Sequence, residues 1–298
     1  MIRHLVSGLK HSPRVWKMLK LSAVCAAICL FWGCIQDNTV INVKPDGGGT
    51  IEETVLMGNS FIDMMQGLTK SMSEAGEQDA AASKEKPKSD DSVITEMMEK
   101  AKTNAKEFGA GVKFVSAKPA KTETASGYTA TYSFDDISKV TLNQNPGKKT
   151  PGESKKENAD AEAAKNDTIK FAFKKGPVAR LSVTMPPPKT DDKKDESVQK
   201  DQTDDPRTIE MLKSMFKDMK VSIVLNMVGD IVSTNATYRT DKKITLIDMD
   251  FGKLVNDMAL LKKINQAQPQ SVEEVKAMVK GMEGLKLEFV SPVTVDFK

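Results

Sequence analysis

"TIKFAFKKGPVARLSVTM", residues 168–185, decides the fold class. Ile169, Phe171 and Phe173 alternate with other residues, and Ala179, Leu181, Val183 and Met185 repeat the pattern after Lys175-Gly176-Pro177. A period of two belongs to a strand with one buried face, because successive Cβ atoms point to opposite sides. Gly and Pro between two such runs mark the turn of a hairpin. The segment predicts two antiparallel strands that bury one face and leave the other wet.

Outward from this hairpin the same period recurs. "NTVINVKPDGGGTIEETVLMG" (38–58) is two runs around Asp46-Gly47, a turn signal between strands. "GVKFVSAK" (111–118) and "SGYTATYSF" (126–134) read as another strand pair. "KVSIVLNMVGDIVSTNATYR" (220–239) places Val221, Ile223, Leu225 and Met227 on one face. "KKITLIDMD" (242–250) and "LKLEFVSPVTVDF" (285–297) continue the alternation.

Helices interleave with these strands. "DSVITEMMEKAKTNAKEF" (91–108) has Ile94, Met97, Met98, Ala101, Ala105 and Phe108 on one stripe behind an Asp91/Ser92 cap. "DPRTIEMLKSMFKDM" (205–219) has Asp205 as cap, Pro206 in the first turn and a stripe of Ile209, Leu212, Phe216 and Met219. "DFGKLVNDMALLKKI" (250–264) is a third helix, and "SVEEVKAMVKGMEG" (271–284) a fourth, with the capping box Ser271…Glu274 and Val275, Met278 and Met282 inward. Strands with one apolar face and helices with one apolar stripe predict an α+β fold, antiparallel sheets with amphipathic helices packed on one face.

Three stretches, 71–91, 143–167 and 186–205, are rich in Lys, Asp, Glu, Pro and small residues. Such composition cannot bury enough apolar surface to offset the entropy of ordering. They read as disordered: two insertions in a region 34–185, and a linker at 186–205 before a region 206–298. The alternative is that some of them order on a partner. Helix followed by strand pair recurs at 91–134 and 205–239, which leaves two related subdomains open.

The N-terminus speaks to location. Leu21 to Gly33 is an apolar run of 13 residues, preceded by Arg3, Lys10, Arg14, Lys17 and Lys20, with no acid before Asp37. A spanning helix needs about 20 apolar residues, whereas a secretory signal has an apolar region of about 7–15. Residues 1–33 therefore read as a signal peptide; a compact one of the same kind starts at Met18. The ending "LFWGC" resembles the lipobox of bacterial lipoproteins. That resemblance implies cleavage between Gly33 and Cys34 and acylation of Cys34, with Phe31 and Trp32 departing from the usual leucine and small residue. The other reading is an ordinary secretory signal cut elsewhere, or an uncleaved anchor. If Cys34 becomes the first residue, Ile35 in second place favours the outer membrane in a Gram-negative cell.

Cleavage changes the chemistry available. Both histidines (His4, His11), both tryptophans (Trp16, Trp32), Cys25 and Cys29 lie in the removed segment. The remaining 265 residues hold no imidazole and one cysteine. Ser-His-Asp and Cys-His catalysis need an imidazole base, and zinc sites draw mainly on His and Cys. No enzyme activity, metal or cofactor is expected. Five of the 44 basic residues and none of the 41 acidic ones precede Cys34, so the net charge goes from +3 to −2. A balanced surface with three arginines, Arg180, Arg207 and Arg239, speaks against nucleic-acid binding.

Other constellations have ordinary readings. Asp248-x-Asp250 could hold a divalent cation, but Asp250 also suits the cap of the helix from Phe251. Glu52-Glu53 and Asp135-Asp136 are neighbours whose side chains point to opposite faces of a strand, so neither pair acts on one bond; pairing across strands stays open. "PDGGGT" (45–50) lacks a phosphate-loop frame and suits a hairpin turn. Met97, Met98, Met215, Met219, Met278 and Met282 lie on helix stripes and are expected in the core, with a lipid-facing pocket as the alternative.

"TVINVKPDGGGTIEETVLMG" after the anchor cysteine, "GVKFVSAK…SGYTATYSFDDI" and "VSIVLNMVGDIVSTNATYRTDKKITLIDMD" together resemble LppM-type bacterial lipoproteins, whose domain binds lipid. The charged insertions and the C-terminal helix depart from that pattern, and no binding residue carries over. The expectation is a non-catalytic, extracytoplasmic lipoprotein attached to the membrane through acylated Cys34, binding a lipid or other apolar ligand or serving envelope assembly. The alternative is a structural module for an envelope-protein partner.

Overall fold

The computed structural model describes residues 35–59, 61–63, 90–143, 168–186, 210, 213, 216–257 and 271–298. Residues 1–34, nearly all of the three charged stretches and most of 205–219, expected as a helix, lie outside them.

Thirteen strands are described. They are β1 (Ile35–Val43), β2 (Gly49–Gly58), β3 (Lys113–Lys121), β4 (Ala125–Phe134), β5 (Thr141–Asn143), β6 (Thr168–Lys174) and β7 (Ala179–Thr184). After these come β8 (Lys220–Met227), β9 (Ile231–Thr234), β10 (Arg239–Thr240), β11 (Lys243–Asp250), β12 (Leu285–Leu287) and β13 (Val293–Phe297). The helices are α1 (Asp90–Asn104), α2 (Phe251–Asn256) and α3 (Val272–Val279). Short 3₁₀ turns cover Ala105–Phe108 and Ile137–Lys139.

The alternation places each strand in a sheet. The first sheet runs β10-β11-β8-β1-β2-β4-β3, with β12 on β11; the second runs β5-β6-β7-β13-β9. The hairpin at 168–185 forms as predicted, with Phe171 opposite Val183 and Phe173 opposite Leu181. Ile169, Phe171, Ala179, Leu181, Val183 and Met185 are all buried. The runs at 38–58 pair as β1 and β2. Their turn is closed by Lys44 N to Gly48 O and Gly47 N to Lys44 O, each 2.9 Å. Gly47 there has φ +89°, a conformation that glycine adopts without a Cβ clash.

The α+β class holds, with antiparallel pairing throughout the described residues except between β1 and β8, which run parallel. A parallel pair needs a long connection, and Asn42 and Asn226, bonded across it, are 184 residues apart. Two of the strand regions, 220–239 and 285–297, split between the sheets. After β8, the chain turns at Val228-Gly229-Asp230 and β9 joins β13 of the second sheet. The stretch 285–297 divides into β12 on β11 and β13 between β7 and β9. Gly229 stands where a Cβ would meet the Lys298 carbonyl at 2.4 Å, so the crossing demands glycine. Asp230 and Lys298 then exchange backbone bonds of 2.8 and 3.1 Å. Each sheet takes strands from both sides of 186–205.

One apolar core joins the sheets, from Ile41, Ile51 and Tyr132 of the first to Leu181, Val295 and Phe297 of the second. Each fully buried Ile, Leu or Phe contributes about 1.5–3 kcal/mol. Helix α1 adds Ile94, Met97 and Ala101, and the 3₁₀ turn adds Ala105 and Phe108, as the stripe predicts. It begins at Asp90, so the expected cap residues Asp91 and Ser92 sit inside its first turn. Helix α3 is different. Its Ser271 accepts from Glu274 N at 3.2 Å, but it has no buried residue. Val275, Met278 and Met282 are half-buried rather than inward. Met98 and Met219 are half-buried as well, Met97 alone of the described stripe methionines is buried, and Met215 lies outside the described residues.

Among the described strands β3 lies at an edge, and that edge is blunted. Lys113, Lys118, Lys121 and Pro119 occupy it, and the register shifts between Phe114 and Ser116. Lysine, proline and a bulge each discourage another strand from adding.

Candidate functional site

The inner face of the first sheet carries polar groups among apolar ones. Pairing builds it in rows: Ile223, Thr39, Glu53 and Ala130 form one, and Val221, Asp37, Val55 and Tyr128 the next. A third row holds Leu225, Ile41, Ile51 and Tyr132. Glu53 follows Ile51 and precedes Val55 at a spacing of two, so alternation turns it inward and Glu52 outward. Glu53 is 1% exposed, and Asp37 and Thr39 are buried beside it.

Burying a carboxylate is costly unless it is hydrogen-bonded. Tyr132 meets that need: its hydroxyl lies 3.2 Å from Glu53 Oε2 and 3.1 Å from the Ala101 carbonyl oxygen of α1. Its ring packs on Phe108, with centroids 4.8 Å apart, and edge-on to Phe114 at 6.0 Å. Tyr128 lies in the next row, close enough for the Glu53 charge to act on its phenol. Burial pushes both phenols well above the ordinary tyrosine range, and the Glu53 charge adds to it. Thr39 Oγ1 lies 3.5 Å from Asp37 Oδ1, the outer limit of a hydrogen bond. The cluster couples α1 to the sheet through a polar contact inside an apolar layer.

A third buried carboxylate, Glu288, sits just after β12 where the chain leaves the first sheet. It accepts from Thr237 N at 2.6 Å, Thr237 Oγ1 at 2.8 Å and Val290 N at 2.9 Å. Three donors on one side chain hold the crossing in place. Among the described residues, no buried side-chain nitrogen or oxygen lacks a hydrogen-bond partner.

The residues singled out from the sequence fall as follows. Asp250 caps α2, accepting from Lys253 N at 3.1 Å, and also pairs with Lys220 at 3.1 Å. Asp248 pairs with Lys286 at 3.6 Å. Among the described residues, no group of three or more His, Cys, Asp and Glu is placed to hold a metal ion. Asp135 is exposed beside Lys113 at 3.3 Å, while Asp136 caps the second 3₁₀ turn through Ser138 N at 2.9 Å. "PDGGGT" is the β1–β2 turn, with Gly48 N donating to Asp46 Oδ1 at 2.9 Å. Cys34 lies outside the described residues, and β1 starts at the next one. No helix among the described residues is long and apolar enough to cross a membrane.

No protein-family model matches the chain. No curated protein matches it either. Among solved structures, it is similar to the NMR structure of the folded domain of the Mycobacterium tuberculosis LppM protein. The match covers 89% of this chain and 90% of that one, at 8% identity and a TM-score of 0.29. A likeness at that level carries no argument about binding or chemistry here.

The Glu53–Tyr132 contact was legible in part. The period that turns Ile51, Val55 and Met57 inward turns Glu53 inward with them, as Ile35, Thr39 and Ile41 do for Asp37. That both carboxylates lie near Tyr128 and Tyr132 depends on the register of β1, β2 and β4, which no local pattern states.

Proposed function

We propose that this chain is a lipoprotein held at a bacterial membrane through acylated Cys34. It acts outside the cytoplasm as a non-catalytic binding or envelope-assembly component for a lipid or other apolar ligand. The observation that carries this reading is where the described strands begin. Ile35 is the first residue of β1, so a cut before Cys34 removes the basic and apolar leader and leaves every described strand whole. Two or more acyl chains at that cysteine hold a protein stably on a bilayer without a spanning helix.

Two observations support the absence of catalysis. The chain from Cys34 onward has no histidine. Its deepest carboxylates, Glu53 and Glu288, spend their lone pairs on tyrosine, threonine and backbone donors in the interior rather than presenting them to a cleft.

The test is the intact mass of the protein expressed with its own leader, wild type beside Cys34→Ala. The expected wild-type species begins at Cys34 and is heavier by its acyl groups, and the variant lacks that addition. A wild-type mass that includes residues 1–33 without acyl groups overturns the anchor. It also restores both histidines and three thiols to the chain.

A further inference from the structure

The strand pairing assigns a membrane-facing end to the folded body. This inference rests on the lipoprotein reading, because it takes Cys34 as the anchor. We infer that the end of the first sheet at which β1 begins seats on the lipid bilayer, with Phe216, Met219 and Phe251 at the acyl–headgroup boundary. The opposite end, at the β1–β2 and β6–β7 turns, points away.

The geometry follows from register. Cys34 is covalently joined to Ile35, so no linker separates the anchor from the sheet. Gln36 pairs with Lys220 in parallel register, and Lys220 pairs with Asp250. The start of β8 and the end of β11 therefore lie at the anchored end. The chain just outside these strands is apolar. Phe251 N donates to Met219 O at 3.0 Å, and the Phe216 and Phe251 rings stack with centroids 6.2 Å apart. These residues and Ile35 are half-buried, so each keeps apolar surface outside the core.

Around them stand Lys217, Lys220 and Lys253, with side chains 67, 56 and 52% exposed. A patch of aromatic and methionine side chains rimmed by lysines suits the interface of a bilayer. Apolar parts enter the acyl boundary there, and lysines extend their stems with the ammonium in the headgroups. Each lysine also has an acidic neighbour, Asp218, Asp250 and Glu283 in turn. Electrostatic attraction to anionic lipid is accordingly modest, and the covalent anchor supplies the affinity.

The other end is set by the same registers. β1 ends at Val43, eight steps on, which is about 26 Å at about 3.3 Å per residue. Val228 N donates to Val43 O at 2.8 Å there, and Gly47 lies against the Phe173 ring near the β6–β7 turn. Lys175 and Val178, in that turn, are exposed at the far end.

The test uses tryptophan as a reporter, since the chain from Cys34 onward has none. Lys217→Trp and Lys175→Trp place it at exposed positions on opposite ends, where folding is not at stake. Each full-length protein is expressed with its leader, its acylation is recorded by intact mass, and it is reconstituted in phosphatidylethanolamine–phosphatidylglycerol vesicles with brominated acyl chains. Quenching of Lys217→Trp several-fold stronger than of Lys175→Trp is the expected result. Equal quenching in acylated protein, or stronger quenching of Lys175→Trp, overturns the orientation and leaves the lipoprotein reading standing. A mass without acyl groups overturns both.

Discussion

The Tyr132 hydroxyl stands between the Glu53 carboxylate of β2 and the Ala101 carbonyl of α1, 3.2 and 3.1 Å from each. One phenol thus ties the helix to the sheet and satisfies a carboxylate that is almost wholly excluded from water. The apolar rows around it supply most of the stability. The polar contact adds specificity, because a slide of α1 along the sheet would carry the Ala101 carbonyl away from the Tyr132 hydroxyl.

Tyr132→Phe removes that donor and keeps the ring. Leaving buried acceptors short of a partner costs about 1–3 kcal/mol. Glu53→Leu removes the carboxylate, and replacing both partners with apolar groups costs less than the two single changes summed. Urea unfolding of both single variants and the double variant is expected to show a coupling of about 0.5–3 kcal/mol. Additive losses would mean that the two side chains do not act as a unit.

The same cluster sets the alkaline limit of the fold. Tyr128 and Tyr132 have pKa values raised above the ordinary 10.0, mainly by burial and then by the Glu53 charge. A group whose folded pKa is raised stabilises the fold fully below its unfolded pKa, and that stability is lost as pH climbs above it. Both phenols are expected to stay protonated in the folded chain near pH 10. Above that, tyrosinate absorbance from these two should appear together with loss of the circular dichroism of the sheets. The comparison is a pH titration of wild type beside Tyr128→Phe and Tyr132→Phe. Ionisation of both phenols while the sheets remain intact would refute the burial argument.

Arg180, Asp296 and Ser233 face one another across β7, β13 and β9. Arg180 donates to the two Asp296 oxygens at 2.6 and 2.8 Å, and Ser233 Oγ donates at 2.8 Å. These bonds, Arg180 foremost, lower the Asp296 pKa from 3.8 to about 2. A depressed carboxyl stabilises the fold above its unfolded pKa and loses that contribution as pH falls through the folded one. The window therefore runs from about 3.8 down to about 2. Arg180→Ala is expected to move the Asp296 midpoint up toward 3.8, read from its carboxyl chemical shift by NMR. An unchanged midpoint would assign the shift to another neighbour. The arginine is exposed, so the change in overall stability should be small.

Much of the fold was legible because alternation is a local property. The runs at 38–58, 111–134 and 168–185 pair as predicted, and the stripe of α1 is buried as predicted except at the half-buried Met98. Asp250 and Ser271 cap the helices that their positions suggest, because a cap depends on the next three residues alone. The stripe on α3 misled for a complementary reason. Periodicity says which side of a helix is apolar, but not how deeply that side is covered, and Met278 and Met282 are only half-covered.

Three things were decided along the chain itself: the strand faces, the turn at Asp46-Gly47, and the placing of every histidine and tryptophan before Cys34. They follow from nearest-neighbour geometry and composition. The parallel pairing of β1 with β8, the crossing at Gly229 and the division of 285–297 between two sheets were decided only in three dimensions. So was the meeting of Glu53 with Tyr132. These contacts join residues tens to nearly two hundred positions apart, and they form because two half-apolar sheets must close on one another to bury their inner faces. That closure sets the register, and the register sets which buried carboxylate finds which donor.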